Sequence, residues 1–321
     1  MPVLMKRLAS RGNVPTATGA GADRDEFVLS SSNSAESQKA GSTLLRQCGN
    51  TACRSGWMKL WRSRQTPVFE GKWACSLACM QEIVQAAILR EAVEADSSIS
   101  QKAVHQHRVP LGLVLLSRGS ITQDQLRKGL EAQKSSGTGR LGEWLVRQKA
   151  VDEEQVARAL SAQWNCPVLP CTPHDPVAMA FILPRLLIDS FGIAPLRIAG
   201  RELLYVAFED RIDRSVVLAV ERMLGIRVEA GVLLDSEFRH VQQEALRAPF
   251  PKARLLEAAS LRGLVHAFTS MIEERKAALS QIVRIRDYYW LRIWRTLGEI
   301  ENRRILHGIE DIEDTVCSIA G

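Results

Sequence analysis

The chain has 321 residues, 46% of them hydrophobic and 24% charged, a composition typical of a soluble protein with room for two or more modest cores. Lysine and arginine total 42 against 36 acidic residues, and the resulting net charge of +6 permits an anionic partner without requiring one. No apolar run reaches the roughly 18–20 residues that span a bilayer, and no secretory signal is evident. Membrane-spanning, collagenous and disulfide-scaffold proteins are excluded, and we expect a cytoplasmic location.

Composition shifts along the chain predict an α+β multidomain protein that is mostly helical. Residues 1–44 contain the polar run Ser30–Ser34 and few large apolar side chains, so they are predicted to be disordered. Four folded parts are expected after them: a small cysteine-rich finger with its following helix (45–95), a helical tandem-motif domain (104–172), a small mixed α/β domain (173–247) and a tail of long helices (252–321).

Four of the seven cysteines are grouped in two pairs, Cys48/Cys53 and Cys75/Cys79. In a reducing compartment such pairs favour metal binding over disulfides. Ser76 is a candidate N-cap, which would place Cys75 and Cys79 one helical turn apart on one side. Four thiolates give the closed tetrahedral geometry of structural zinc, so we predict that Zn²⁺ is bound by Cys48, Cys53, Cys75 and Cys79.

The segment between the cysteine pairs, 54–74, is predicted to form a β-hairpin. A knuckle, a hairpin and a ligand-bearing helix together resemble a treble-clef finger, and Phe69–Cys79 is similar to the C-terminal half of TRASH or MYM-like fingers. Two interpretations of the hairpin's tryptophans and cations remain open: a finger core with a solvated basic face, or a nucleic-acid contact. The cations concerned are Arg54, Lys59, Arg62, Arg64 and Lys72.

A 24-residue unit is duplicated at 110–133 and 140–163, with seven of 24 positions identical at an offset of 30. Each copy predicts a short helix that begins near the glycine, a turn, and a second helix. Thr122 and Asp152 are natural N-caps for the second helices.

The repeated pattern, Arg-Leu-Gly-x-x-Leu-(Leu/Val)-x-x-Gly followed by Leu-x-x-x-Leu-x-x-Gln, resembles the MshEN domain. This is the N-terminal domain of type II secretion ATPases such as GspE and of type IV pilus assembly ATPases, many of which bind cyclic di-GMP. The resemblance implies that two tandem motifs hold the two equivalent halves of that nucleotide, with glycines admitting it, leucines flanking the guanines and arginine supplying charge-assisted hydrogen bonds.

The nucleotide-binding residues implied by the resemblance come from both motifs. They are Leu111, Gly112, Leu115, Leu116, Gly119, Leu126, Leu130 and Gln133 in the first, and Arg140, Leu141, Gly142, Leu145, Val146, Val156, Leu160 and Gln163 in the second. Pro110 replaces the first motif's arginine, with Arg108 as the candidate that compensates, and Lys149 replaces the second motif's later glycine. The alternative is a degenerate domain in which these residues only pack.

Residues 173–247 predict a mixed domain. Ile193–Ile198 and Leu203–Phe208 suit a hairpin, and helix, strand and helix patterns follow at 214–224, 226–232 and 236–246. The order resembles the second N-terminal subdomain of the same ATPases, and Glu209-Asp210 stands where that family often has a small residue followed by an acid and a proline.

Two further observations concern the C-terminal tail and the lack of catalytic motifs in the sequence. No proline follows Pro251, and 264–297 lack glycine as well, so 252–321 predict long helices that form a packing seam or a coiled-coil dimer. An arginine-aromatic patch there is a candidate for membrane or nucleic-acid contact. No phosphate-binding loop or hydrolase motif is found, so we expect no enzyme.

We therefore predict a non-enzymatic cyclic di-GMP sensor or adaptor whose protein partner belongs to secretion or pilus machinery. Two alternatives are a nucleic-acid-binding regulator that uses the basic finger and a secretion-complex scaffold without a nucleotide. A homodimer through the C-terminal helices is a further expectation.

Overall fold

The computed structural model describes residues 47–54, 67–102, 108–200, 202–209, 211–296 and 309–319, without side-chain detail for 95–102. The chain divides into the units Met1–Leu44 and Leu45–Gly321, and every described residue belongs to the second. The prediction of disorder for 1–44 lies outside the described residues. Most of the basic hairpin, residues 55–66, lies outside them too.

The finger is described at its C-terminal end. Strands β1 (Val68–Phe69) and β2 (Lys72–Trp73) pair antiparallel and precede helix α1 (Leu77–Lys102). Their turn, Glu70 and Gly71, has φ angles of 47° and 74°. Two positive φ angles match the twist of a tight hairpin. The predicted order of hairpin and helix is confirmed for the described residues.

The duplicated motifs fold into four helices: α2 (Leu111–Ser117), α3 (Gln123–Ser136), α4 (Leu141–Arg147) and α5 (Glu153–Trp164). Thr122 accepts the backbone N–H of Gln125 at 3.3 Å, and Asp152 accepts that of Gln155 at 2.7 Å. Each glutamine side chain accepts the cap's backbone N–H in return, which completes a capping box in both copies. Both predicted N-caps are confirmed.

Helices of one copy pack on helices of the other, α2 on α5 and α3 on α4. Their core is built from equivalent positions, with Leu115 and Leu145 completely buried. The motif glycines serve this packing: a Cβ at Gly112 would lie 2.6 Å from Leu126 Cδ1, and one at Gly142 would lie 2.9 Å from Val156 Cγ1. The glycines therefore make room for apolar side chains of the motifs.

The mixed domain contains α6 (Pro176–Ala180), α7 (Arg185–Phe191), β3 (Ile193–Ala199), β4 (Leu203–Phe208), α8 (Arg214–Leu224), β5 (Arg227–Val232) and α9 (Asp235–Arg247). Its sheet has the order β3-β4-β5, with β3 and β4 antiparallel and β4 and β5 parallel. The hairpin and the helix-strand-helix order predicted for this part are confirmed.

The prediction of long C-terminal helices over 252–321 is wrong. The described part contains β6 (Lys252–Ala258), α10 (Leu261–Glu274), β7 (Leu279–Ile285), β8 (Tyr288–Trp294), a 3-10 turn (Ile309–Asp311) and β9 (Ile312–Ile319). The strands form a sheet in the order β6-β9-β8-β7, in which β6 and β9 are parallel and the other neighbours are antiparallel. The proposed seam and helix-mediated dimer lose their basis.

Burial on both faces of this sheet explains the error. On β8, Leu291 and Ile293 face a core shared with α1 and α10, while Trp290 and Trp294 face a core shared with the mixed domain. A strand covered on both faces is apolar throughout, so it lacks the polar alternation that distinguishes strand from helix. The branched and aromatic residues of 279–294 were the remaining strand signal.

Arg292 is one of four arginines in the arginine-aromatic patch that was a candidate for membrane or nucleic-acid contact, and it is completely buried. Its Nε and an Nη donate to Asp314 at 2.7 and 2.8 Å, and its other Nη donates to the carbonyls of Phe181 and Ile182 at 2.9 Å. Trp290 Nε1 also donates to Asp314, at 2.7 Å. The pair thereby joins the C-terminal sheet to the mixed domain.

Substitution at Lys149 tests the departure from the repeated motif. Lys149 has a φ of 54°, and its equivalent Gly119 has a φ of 69°. Because side chains are strained in this region, Lys149→Gly should raise the free energy of unfolding by up to about 1 kcal/mol. The matched change Gly119→Lys should lower it by about the same amount. Urea unfolding measures both, and a stability loss in Lys149→Gly would contradict the strain.

Asp314→Ala tests the buried ion pair. The substitution leaves the Arg292 charge in the core, so the free energy of unfolding should fall by about 3–5 kcal/mol. Asp124→Ala is the matched control, because Asp124 pairs with Arg127 at an exposed site and its loss should cost less than about 1 kcal/mol. Equal losses in the two variants would contradict the assigned role of Asp314.

Candidate functional site

The side chains of the four predicted cysteine ligands lie close together. Their sulfur atoms all lie within 4.8 Å of one another. Cys53 and Cys75 Sγ are 3.6 Å apart, Cys75 and Cys79 Sγ are 3.5 Å apart, and the Cys75 N–H donates to Cys48 Sγ at 3.5 Å. Ser76 Oγ accepts the Cys79 N–H at 3.3 Å, which confirms its role as cap.

This donor set can hold a metal ion. Four sulfurs around a tetrahedral ion at about 2.3 Å are separated by roughly 3.8 Å, close to the separations of the cysteine pairs. Burial raises the pKa of the Cys48 thiol to about 11. A bound cation would oppose this effect, since it stabilises the thiolate form. No other group of three or more potential ligands is found within the described residues.

The hairpin that precedes Cys75 is hydrogen-bonded to residues in and next to β7 of the C-terminal sheet. The Val68 N–H donates to the Ala277 carbonyl at 2.9 Å, and the Glu70 N–H donates to the Ser280 carbonyl at 2.8 Å. Cys75 and Cys79 also belong to an apolar core that includes residues of α10 and β8. Ordering of the four thiols is therefore coupled to the fold of the C-terminal part.

A cavity of about 460 Å³ lies between the tandem-motif helices and the mixed domain. Residues of the second motif predominate in its lining, together with two from the first. The predicted nucleotide-binding residues found there are Leu111, Gln133, Arg140, Leu141, Gly142, Val146, Val156, Leu160 and Gln163.

The remaining predicted residues have other positions. Leu115 and Leu145 are completely buried in the helical core, Gly112 is buried beside it, and Leu116 packs against it. Gly119 forms a left-handed turn. Arg108 stacks on the Trp164 ring at 3.9 Å and donates to the Gln163 carbonyl at 2.8 Å, so this cation is already engaged within the chain.

Leu126 and Leu130 line a second, shallower groove of about 310 Å³ on α3. The groove is also lined by Gln123, Arg127, Glu131 and Lys134, and adding 30 to each of these six numbers except that of Glu131 gives a residue that lines the larger cavity. The two hollows therefore share five equivalent lining positions, although the larger one also contains Leu111 and Gln133 of the first motif. Only the larger one is covered by the mixed domain.

Arg140 is held by three carboxylates in the lining of the larger cavity. Its Nη lies 3.0 Å from Glu143, 3.0 Å from Glu209 and 2.5 Å from Asp235. Arg239 adds a second guanidinium, 2.6 Å from Glu143 and 3.0 Å from Asp235. We call these five side chains the Arg140 cage.

Electrostatics within the cage favours the charged forms. Burial opposes the charge on Arg140, but the hydrogen bond to Glu143 and the charges of Glu209 and Asp235 outweigh it and raise the pKa of the guanidinium. Burial likewise disfavours ionised Glu143, yet its contacts with Arg140 and Arg239 leave the pKa of this carboxyl below its usual value. Both shifts favour the charged forms of Arg140 and Glu143.

Sequence reasoning missed the mixed domain's share of the cavity. Glu209 directly follows β4, Asp235 begins α9, and Leu233 and Arg211 complete that wall. The position of Glu209 after a predicted strand was a signal, but Asp235 and Arg239 have none in the motif pattern. They are distant from Arg140 along the chain and come near it because α9 packs near α5.

Two other predictions concern nucleic-acid contact and the membrane. Lys59, Arg62 and Arg64, the central cations of the nucleic-acid alternative, lie outside the described residues. Within the described part of the chain, no helix has both the length and the apolar character needed to cross a membrane.

Comparison with known proteins gives partial similarities. No family model and no curated protein matches the chain. A structure of MshE with cdg is similar over 43% of this chain and 99% of that chain, at 23% identity and a TM-score of 0.35. The XpsE N-terminal domain is similar in two crystal forms, over 42% and 40% of this chain and 92% and 90% of those chains, each at 21% identity, with TM-scores of 0.31 and 0.25. Each of these TM-scores is below 0.5, so the similarity does not support a functional assignment.

Metal analysis tests the cysteine cluster. Protein purified without chelator should contain about one metal ion per chain, and Cys53→Ser or Cys79→Ser should lose it because a tetrahedral thiolate site then lacks a ligand. Cys171→Ser, outside the cluster, is the matched control and should retain the ion. Chelation should also lower the melting temperature, since the cluster shares a core with α10. Retention of full metal in the Cys53 and Cys79 variants would contradict the site.

Proposed function

We propose that the chain is a non-enzymatic bacterial adaptor that acts in the cytoplasm, binds cyclic di-GMP and is related to the N-terminal domains of type II secretion and type IV pilus assembly ATPases. One observation carries the proposal. Side chains at five equivalent positions of the duplicated motif line two hollows, one on α3 of the first motif and one formed mainly by the second motif and the mixed domain.

A ligand with two chemically equal halves suits two equivalent hollows. Their volumes, about 460 and 310 Å³, fall within or near the range of small-ligand sites. Both have apolar side chains from the same motif positions, Leu126 with Leu130 in one and Val156 with Leu160 in the other. Such side chains provide apolar surface on which a purine ring can pack.

The two halves of the proposed site differ in strength. The larger cavity has four arginines in its lining, Arg140, Arg147, Arg211 and Arg239, which suit the phosphodiesters of the ligand. The first motif has Pro110 at the position equivalent to Arg140, and its groove contributes Arg127 and Lys134 instead. We therefore propose that the second motif supplies most of the affinity.

The metal in this proposal is Zn²⁺, with a structural role. Four cysteine sulfurs without a histidine leave no position for a reactive water, and soft thiolates favour zinc over harder cations. The ion would stabilise the short hairpin and the start of α1 against the C-terminal sheet. The protein partner we propose is a component of secretion or pilus machinery.

Isothermal titration with cyclic di-GMP tests the nucleotide site. Wild-type protein should bind, and Arg140→Gln should weaken the affinity about tenfold or more because a charge-assisted hydrogen bond is lost. Arg158→Gln is the matched control: Arg158 is an exposed α5 arginine paired with Glu154, outside both hollows, and its loss should leave the dissociation constant unchanged.

Thermal unfolding of each variant controls for misfolding. Absence of binding by folded wild-type protein at several hundred micromolar nucleotide would overturn the proposal and favour a scaffold without a nucleotide. Equal affinity of wild type and Arg140→Gln would show that the nucleotide binds elsewhere.

A further inference from the structure

The Arg140 cage contains more negative than positive charge. Two guanidinium groups, Arg140 and Arg239, face the carboxylates of Glu143, Glu209 and Asp235. Only 28% of the Arg140 side chain and 15% of that of Glu143 are exposed, so solvent screens these contacts less than at an open surface. A phosphodiester that approaches Arg140 meets carboxylates already bound to it.

The three carboxylates have different origins. Glu143 lies on α4, one turn after Arg140, and can move together with it. Glu209 and Asp235 belong to the mixed domain, where they follow β4 and begin α9. Arg140 also donates to the Glu209 carbonyl at 3.3 Å. These two acids therefore connect the arginine of the motif to the neighbouring domain.

Further contacts across the same boundary are polar. Arg239 of α9 contacts Glu143, and Ser236 donates to Glu153 through its N–H at 3.2 Å and its hydroxyl at 2.5 Å. The apolar core of the tandem-motif domain contains residues of the two motifs and none of the described residues of the mixed domain. Exchange of polar partners at this boundary thus requires little loss of apolar burial.

We propose that Asp235 and Glu209 set the nucleotide affinity of this cavity by competing with the ligand's phosphodiesters for Arg140. Binding exchanges these two carboxylates for phosphate and loosens the contact between the tandem-motif helices and the mixed domain. The inference rests on the proposed function. It adds two affinity-determining residues outside the motifs, and it couples nucleotide binding to the position of a second domain.

Titration of neutralised variants tests the competition. Asp235→Asn and Glu209→Gln preserve shape and remove one competing charge each, so each should bind cyclic di-GMP at least about fivefold more tightly than wild type. Glu154→Gln is the matched control, because Glu154 is an exposed acid of α5 that pairs with Arg158 and lies outside both hollows. Its dissociation constant should stay within about twofold of wild type.

Hydrogen exchange on the wild-type protein gives a second readout. Saturating nucleotide should speed amide exchange in the first turn of α9, and Asp235→Asn should show this faster exchange without ligand.

The outcomes are distinguishable. Wild-type binding with unchanged or weaker affinity in both neutralised variants would overturn the competition and leave the nucleotide site intact. Slower or unchanged exchange on ligand binding would overturn the coupling between the domains. Absence of binding in wild type and all variants would overturn the proposed function and this inference together.

Discussion

Burial of the finger against the C-terminal sheet is the constraint on which the arrangement of the chain depends. Two strands of two residues each bury little surface, so the hairpin gains stability by hydrogen bonding to Ala277 and to Ser280 of β7 and by sharing a core with α10. Helix α1 packs its apolar face on the same core, with Cys79 in its first turn and Cys75 two residues before the helix begins. The segment with the cysteine cluster and the last strand of the described chain thus share one core, although most of the sequence separates them.

The duplicated unit combines symmetric packing with asymmetric use. Equivalent capping boxes, buried leucines and glycines give both copies the same local structure. The second copy contacts the mixed domain, which covers its hollow and surrounds Arg140 with acids. The same sequence pattern therefore has different surroundings in its two copies.

The boundaries between the folded parts differ in chemistry. The mixed domain and the C-terminal sheet share an apolar core with Trp290 and the buried Arg292–Asp314 pair, which holds them firmly together. Charged side chains dominate the contacts of Arg140 with the mixed domain. Charged contacts therefore lie beside the candidate site, and the shared apolar core lies away from it.

The sequence by itself determined the features that depend on local spacing. Cysteine pairs, the repeat at an offset of 30, the caps Thr122 and Asp152, and the hairpin of the mixed domain all follow from neighbours along the chain. Only the tertiary structure decided that 279–294 form buried strands and that Asp235 and Glu209 reach Arg140. The physical reason is that a strand buried on both faces has no polar alternation, and that contacts between distant segments leave no periodic mark in either of them.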